Sequence, residues 1–268
     1  MTAALTVFLG RAGDRNSRAM AGSQVLGRVL SERLQLPVRS LGTSAPPLHL
    51  PWHKELAAAR RELIDLAAVY DELLGARRRL VSVIGRCAAG LATVPIVARH
   101  RPDACVVWFD AHGDSNTPSS VPNPYLGGMV ISGAAGMWES GLGAGLSFSN
   151  VVLVGARDLD PDEWALVDAG TLTLVRVGPQ LGERLARAVG PRPVYMHLDC
   201  DVLDPGIVPT EYVSPGGLTL QDLREACDAL ARNEVIGIEI AEFEAAWPKD
   251  DSPCSPATLL EALDPMLR

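Results

Sequence analysis

Three things are scarce in this sequence of 268 residues. No apolar run reaches the roughly 18 residues that a membrane-spanning helix requires. The opening stretch MTAALTVFLGRAGDR is too short in its apolar part for a secretion signal and reads as a first strand. Positive charge is also short. Lys and Arg number 24 against 32 Asp and Glu, a formal net charge of −8, and the pI is near 5.2. That balance argues against nucleic acid and anionic membranes as partners. Cysteine is sparse, odd in number and scattered: Cys87, Cys105, Cys200, Cys227 and Cys254. This usage fits free thiols in a reducing cytoplasm and not a disulfide framework. Repeats and low-complexity tracts are missing too. The glycine-rich stretch 133–145 lacks the spacing of a phosphate loop.

What is present is a globular composition, 47% hydrophobic and 21% charged, on a chain long enough for a sizeable core. Short β-branched runs alternate with amphipathic stretches. Strands are expected over 5–10, 80–84, 105–110, 151–154, 173–177, 194–199 and 235–240. Helices are expected over 21–34, 54–79, 181–189, 221–232 and 256–267, the first with Val25, Val29, Leu30 and Leu34 at helical spacing. Several strands are apolar on both faces. They predict an α/β three-layer sandwich, a mostly parallel central sheet flanked by helices, forming one domain over 1–268. Two long irregular stretches, 113–141 and 201–217, each follow a strand. They should therefore lie over the carboxyl edge of the sheet, where ligand sites of such folds occur.

Chemistry concentrates at two strand ends. Asp110, His112 and Asp114 follow the strand CVVWFD at alternating positions, so they share one side of an extended chain. Asp199 and Asp201 repeat the pattern after PVYMHLD. Strand-end aspartates often only cap turns, but five alternating polar residues in two clusters suit metal ions better. Four crowded carboxylates raise one another's pKa, and two divalent cations would offset them. Oxygen donors with one imidazole favour Mn²⁺, and water held between two such ions becomes a nucleophile near neutral pH. The implied chemistry is metal-assisted hydrolysis.

DAHGD followed by DCDVLDP resembles the arginase, or ureohydrolase, superfamily, with its D-A-H-x-D and S-x-D-x-D-x-x-D-P signatures. The resemblance is clearest over 80–244. It implies an arginase-like fold, two Mn²⁺ ions and a small guanidino substrate. Asp110 and Asp199 would bridge the ions, Asp114 would bind the first, and His112 and Asp201 the second. Asn116 and Asn123 fall where related enzymes hold a substrate α-carboxylate. Asp160 would meet its α-amino group, with Glu163 nearby. Glu242, in IGIEIAEFE, matches the glutamate that holds the guanidinium, with Ser214 beside it. Asp204, in the D-P turn, reads as structural.

Three positions depart from the family pattern. Cys87 stands where the G-G-D-H-S stretch has a metal-binding His; it is either a thiolate ligand of the first ion or a small buried residue, and a helix start there would lower its pKa. Gly127 occupies the place of a proton-shuttling His. His197 replaces the family's Ser, either as partner to a metal-bound carboxylate or as a satisfied core residue. The expected function is hydrolysis of a guanidino C–N bond, releasing urea or hydroxyurea from arginine or N-hydroxyarginine. The alternatives are another amidine substrate (formiminoglutamate, guanidinobutyrate or agmatine) and a metal-depleted binding protein. A homo-oligomer is in keeping with the family. His49, His53 and the run Arg77 to Arg79 read as surface residues, and His100 as a charge at a helix C-terminus.

Overall fold

The structure is a computed structural model and describes residues 2–268. Eight strands build one sheet: β1 (Ala3–Phe8), β2 (Val38–Leu41), β3 (Arg79–Gly85), β4 (Cys105–Phe109), β5 (Val151–Val154), β6 (Thr173–Val175), β7 (Val194–Asp199) and β8 (Val235–Ala241). Their order is β2-β1-β3-β8-β7-β4-β5-β6, and every neighbouring pair is parallel. Parallel pairing demands crossovers, and helices supply most of them. These are α1 (Arg18–Leu34), α2 (Trp52–Gly75), α3 (Gly90–His100), α4 (Val130–Ala134), α5 (Pro161–Asp168), α6 (Leu181–Val189), α7 (Leu220–Leu230), α8 (Ala257–Ala262) and α9 (Asp264–Leu267).

Strand alternation splits the core in two. On β4, Val106 and Trp108 join a cluster with Leu63 and Leu66 of α2 and Val94 and Val97 of α3. Cys105, Val107 and Phe109 point the other way, to Leu26 and Leu30 of α1, Leu185 of α6 and Leu223 of α7. Burial on both sides explains the continuous apolar runs of the central strands.

The sequence expectations differ from the structure at identifiable places. Edge strand β2 is largely exposed and carries no apolar pattern. The helix expected over 54–79 stops at Gly75. Arg77 there adopts a left-handed φ of 54°, and Arg78 N–H returns to the Leu73 carbonyl. Arg79 then opens β3. The single helix expected over 256–267 is two short ones, since Pro265 offers no N–H to continue the first. On α1 the buried face is Gly22, Ser23, Leu26, Gly27 and Leu30, so Val25 and Val29 lie only at its margin. Both long irregular stretches do run over the carboxyl edge, where the four central strands β3, β8, β7 and β4 end together.

Candidate metal centre

Each central strand delivers a polar residue just past its end. From β4 come Asp110, His112 and Asp114. Asp110 is buried: Oδ2 accepts from Trp108 Nε1 at 3.0 Å and Oδ1 from the His112 backbone N–H at 2.7 Å. From β7 come Asp199 and Asp201. Asp199 Oδ1 accepts the Asp201 N–H at 2.7 Å, and Asp201 Oδ1 accepts the Ala111 N–H at 3.0 Å. These backbone bonds fix the carboxylates before any ligand arrives. His112 Nδ1 lies 3.1 Å from oxygens of both Asp110 and Asp201. After β3 stands Cys87, whose Sγ is 3.0 Å from Asp199 Oδ2 and 3.2 Å from His197 Nε2. After β8 stands Glu242. Its backbone is left-handed, with φ of 62°, and its N–H binds the Gly85 carbonyl at 2.7 Å. Asp114 shares that backbone region at 44°. Such non-glycine conformations persist where the surrounding structure over-determines them.

Among the described residues, donor atoms within 4.8 Å of one another form three groups: Cys87 with Asp110 and Asp114; Asp110 with His112 and Asp201; and Cys87 with Asp199 and Glu242. The first two share Asp110. Electrostatics describe a nest short of positive charge. Burial, then neighbouring acids, hold Asp114 and Asp199 well above the usual carboxylate range and raise Asp201. Burial pushes Glu242 up to about 7, against the pull of Arg86. Asp110 alone is lowered: burial opposes this, but His112 outweighs it, and the two acids in turn raise His112. Asp114 Oδ2 is buried with no hydrogen-bond partner among the described residues. A divalent ion would satisfy that oxygen and relieve the repulsion, so the donor set fits two such ions.

Cys87 corrects one expectation. It opens a short 3₁₀ turn ahead of α3, yet burial first, then Asp199, Glu242 and the other acids, drive its thiol well up instead of down. His197 is held on both sides. Its ring stacks on Trp108 at 3.4 Å, and its Nδ1 is 2.8 Å from Glu239 Oε1, whose other oxygen accepts from Tyr195 at 2.6 Å. It is therefore a satisfied buried residue that also touches Cys87.

A cavity of about 190 Å³ adjoins the nest, lined by Cys87, His112, Asp114, Asp199, Asp201 and Glu242. Asn116, Asn123, Asp160 and Glu163 line it as well. Asn116 Nδ2 donates to Asp160 Oδ2 at 2.7 Å. Glu163 accepts from the Ser115 N–H at 2.8 Å and the Asp160 N–H at 3.0 Å, tying α5 to the loop after β4. Gly113 leaves room there for the Glu163 carboxylate, since a Cβ would lie 2.7 Å from its Oε1. Ser214 is not brought to Glu242. It lines a separate cavity, and its carbonyl accepts from Arg157 at 2.6 Å. Asp204 accepts from the N–H groups of Gly216 and Gly217 and closes a loop.

Arg86 escaped the sequence reading. It is almost wholly buried and reaches Glu242 Oε2 at 2.5 Å, Glu211 at 2.7 Å and Asp14 at 3.0 Å. Glu242 Oε1 also accepts the Cys87 N–H at 3.0 Å. A hint was available, since an arginine closing an apolar strand must find buried partners. Tyr125 and Tyr212, on the two loops, line the cavity too and gave no such hint.

An all-parallel α/β sheet whose central strand tips gather acids, an imidazole and a thiol defines a class of protein with donors that could hold metal ions beside a small-molecule cavity. Comparison with known proteins narrows this class. The model of the arginase family matches residues 28–257, and the chain belongs to that family. It is 36% identical over 261 residues to the N(omega)-hydroxy-L-arginine amidinohydrolase of Streptomyces lavendulae, covering 97% of this chain and 96% of that one. It is 28% identical over 280 residues to the arginase of Bacillus caldovelox, covering 94% and 91%. Among solved structures, the arginase of Bacillus subtilis superimposes with a TM-score of 0.85 at 21% identity, covering 100% of this chain and 98% of that one. The chain is thus an amidinohydrolase that cleaves a guanidino C–N bond.

Proposed function

We propose that the chain is a manganese-dependent hydrolase of N-hydroxyarginine, releasing hydroxyurea and ornithine. The observation that carries this reading is the near full-length similarity to an enzyme named for that substrate. Two features of the site support it. Cys87 points into the nest where the family pattern has a histidine, and Gly127 leaves the shuttle position without an imidazole. Both positions set this site apart from the arginase pattern.

Two Mn²⁺ ions, when bound, supply activated water and balance the buried acids. Asp110 and Asp199 would be shared between them. Cys87 and Asp114 would serve one, and His112 and Asp201 the other. The chain's own residues do the rest. Glu242 takes the guanidine head. Asp160, braced by Asn116, takes the α-amino group, and Asn123 the α-carboxylate. Those roles favour an amino-acid substrate over agmatine, which has no carboxylate. The five free thiols support a reducing compartment, the cytoplasm. Among the described residues no helix is long and apolar enough to cross a membrane.

A panel of arginine, N-hydroxyarginine, agmatine, guanidinobutyrate and formiminoglutamate, assayed with Mn²⁺ for urea, hydroxyurea and formamide, tests the reading. Hydroxyurea from N-hydroxyarginine should dominate. Faster release of product from any other member would reject it.

A further inference from the structure

The phenol of Tyr125 stands on the wall of the candidate site. Its oxygen is buried and makes no hydrogen bond among the described residues. Leaving such a group unpaired is costly, so an oxygen of this kind lining a cavity awaits a ligand atom. The side chain lines the same cavity as Glu242, and on its other side the cavity bounded by Arg15 and His49. Among charged groups Glu242 raises its pKa most and Arg86 opposes this. Burial and the Glu242 carboxylate push its pKa well up, so it stays a neutral O–H donor.

The loop is shaped around this ring. A Cβ on Gly127 would fall 2.6 Å from Tyr125 Cε1, so the ring fills the space where any side chain at 127 would begin. Arg15 lies 5.2 Å over its centroid, and Tyr212 packs 5.7 Å away. The ring is held and its hydroxyl is left free.

We infer that Tyr125 is a specificity-determining residue whose hydroxyl hydrogen-bonds the N-hydroxyl oxygen of the substrate. The inference rests on N-hydroxyarginine being that substrate. The hydroxylated guanidine carries one more oxygen than arginine, and this oxygen gives the phenol its missing partner. Arginine leaves the phenol unpaired. A site built to bind a substrate hydroxyl rejects the analogue that lacks it.

The test is Tyr125→Phe, which keeps the ring over Gly127 and deletes only the unpaired oxygen. Its melting temperature and manganese content should equal or exceed those of the unaltered protein. Its kcat/KM for N-hydroxyarginine should fall about tenfold to a hundredfold, while that for arginine stays within about threefold. Equal losses on both substrates would mark the phenol as a proton donor to the leaving amine, or as structural, and overturn the assignment; an unchanged ratio would overturn it too. Calorimetry with hydroxyguanidine and guanidine on the manganese-loaded protein gives a second reading, independent of turnover. Hydroxyguanidine should bind more tightly, and Tyr125→Phe should erase the difference. Unaltered protein that hydrolyses neither amino acid rejects the proposed function, while calorimetry still decides the contact.

Discussion

The side chains of the nest were legible in unequal degree. Asp110, His112 and Asp114, like Asp199 and Asp201, declare themselves because a strand end puts alternate residues on one side. Arg86 and Tyr125 do not, because their meaning lies in partners far away in sequence: Glu242 for the first, the cavity wall for the second. Ser214 shows the limit of matching by position, since its hydroxyl faces Asp158 and only its backbone carbonyl meets Arg157. Asp201→Ala should abolish metal uptake at the His112 group and with it turnover, while the circular dichroism spectrum stays native. Retained turnover would mean that the ligands are others. Cys87→His, which restores an imidazole, should tighten Mn²⁺ binding measured by calorimetry; unaltered affinity would place that side chain outside the metal's reach. Arg86→Met leaves buried carboxylates unpaired and should cost about 3–5 kcal/mol in urea unfolding.

Among the elements, the buried strands were the plainest, because both their faces are covered and their apolar runs are unbroken. β2 was hidden by exposure. α3 was blurred by the opposite: residues Gly90–Val97 are buried all round, so no amphipathic stripe marks the helix. α1 meets the sheet through glycine. A Cβ at Gly22 would lie within 1.9 Å of the Phe243 carbonyl, one residue beyond Glu242. Gly22→Ala should therefore lower stability by about 1–3 kcal/mol in thermal unfolding. It should also raise KM by shifting the loop that carries Glu242, whereas Gly75→Ala, where a Cβ meets only His100 at 3.8 Å, should do neither.

The molecule as a whole gathers buried acids that a divalent cation would balance. Burial and neighbouring acids keep Asp114 and Asp199 protonated above the usual carboxylate range, and burial holds Glu242 near 7. Raised carboxyl pKa values mean that the fold retains protons the unfolded chain has released. Their contribution to stability is present on the acid side and fades as pH rises through the folded values. Divalent ions need the deprotonated ligands, so they act in the opposite sense. The rise in melting temperature on adding Mn²⁺ should be larger at about pH 8 than at about pH 6. A rise independent of pH would contradict this picture.

The most direct measurement is anomalous diffraction at the manganese edge from crystals grown with Mn²⁺. The account predicts two peaks between the tips of β3, β4 and β7, both in contact with Asp110, one beside Cys87 and Asp114 and the other beside His112 and Asp201. No peak there, or manganese bound only elsewhere, would contradict it.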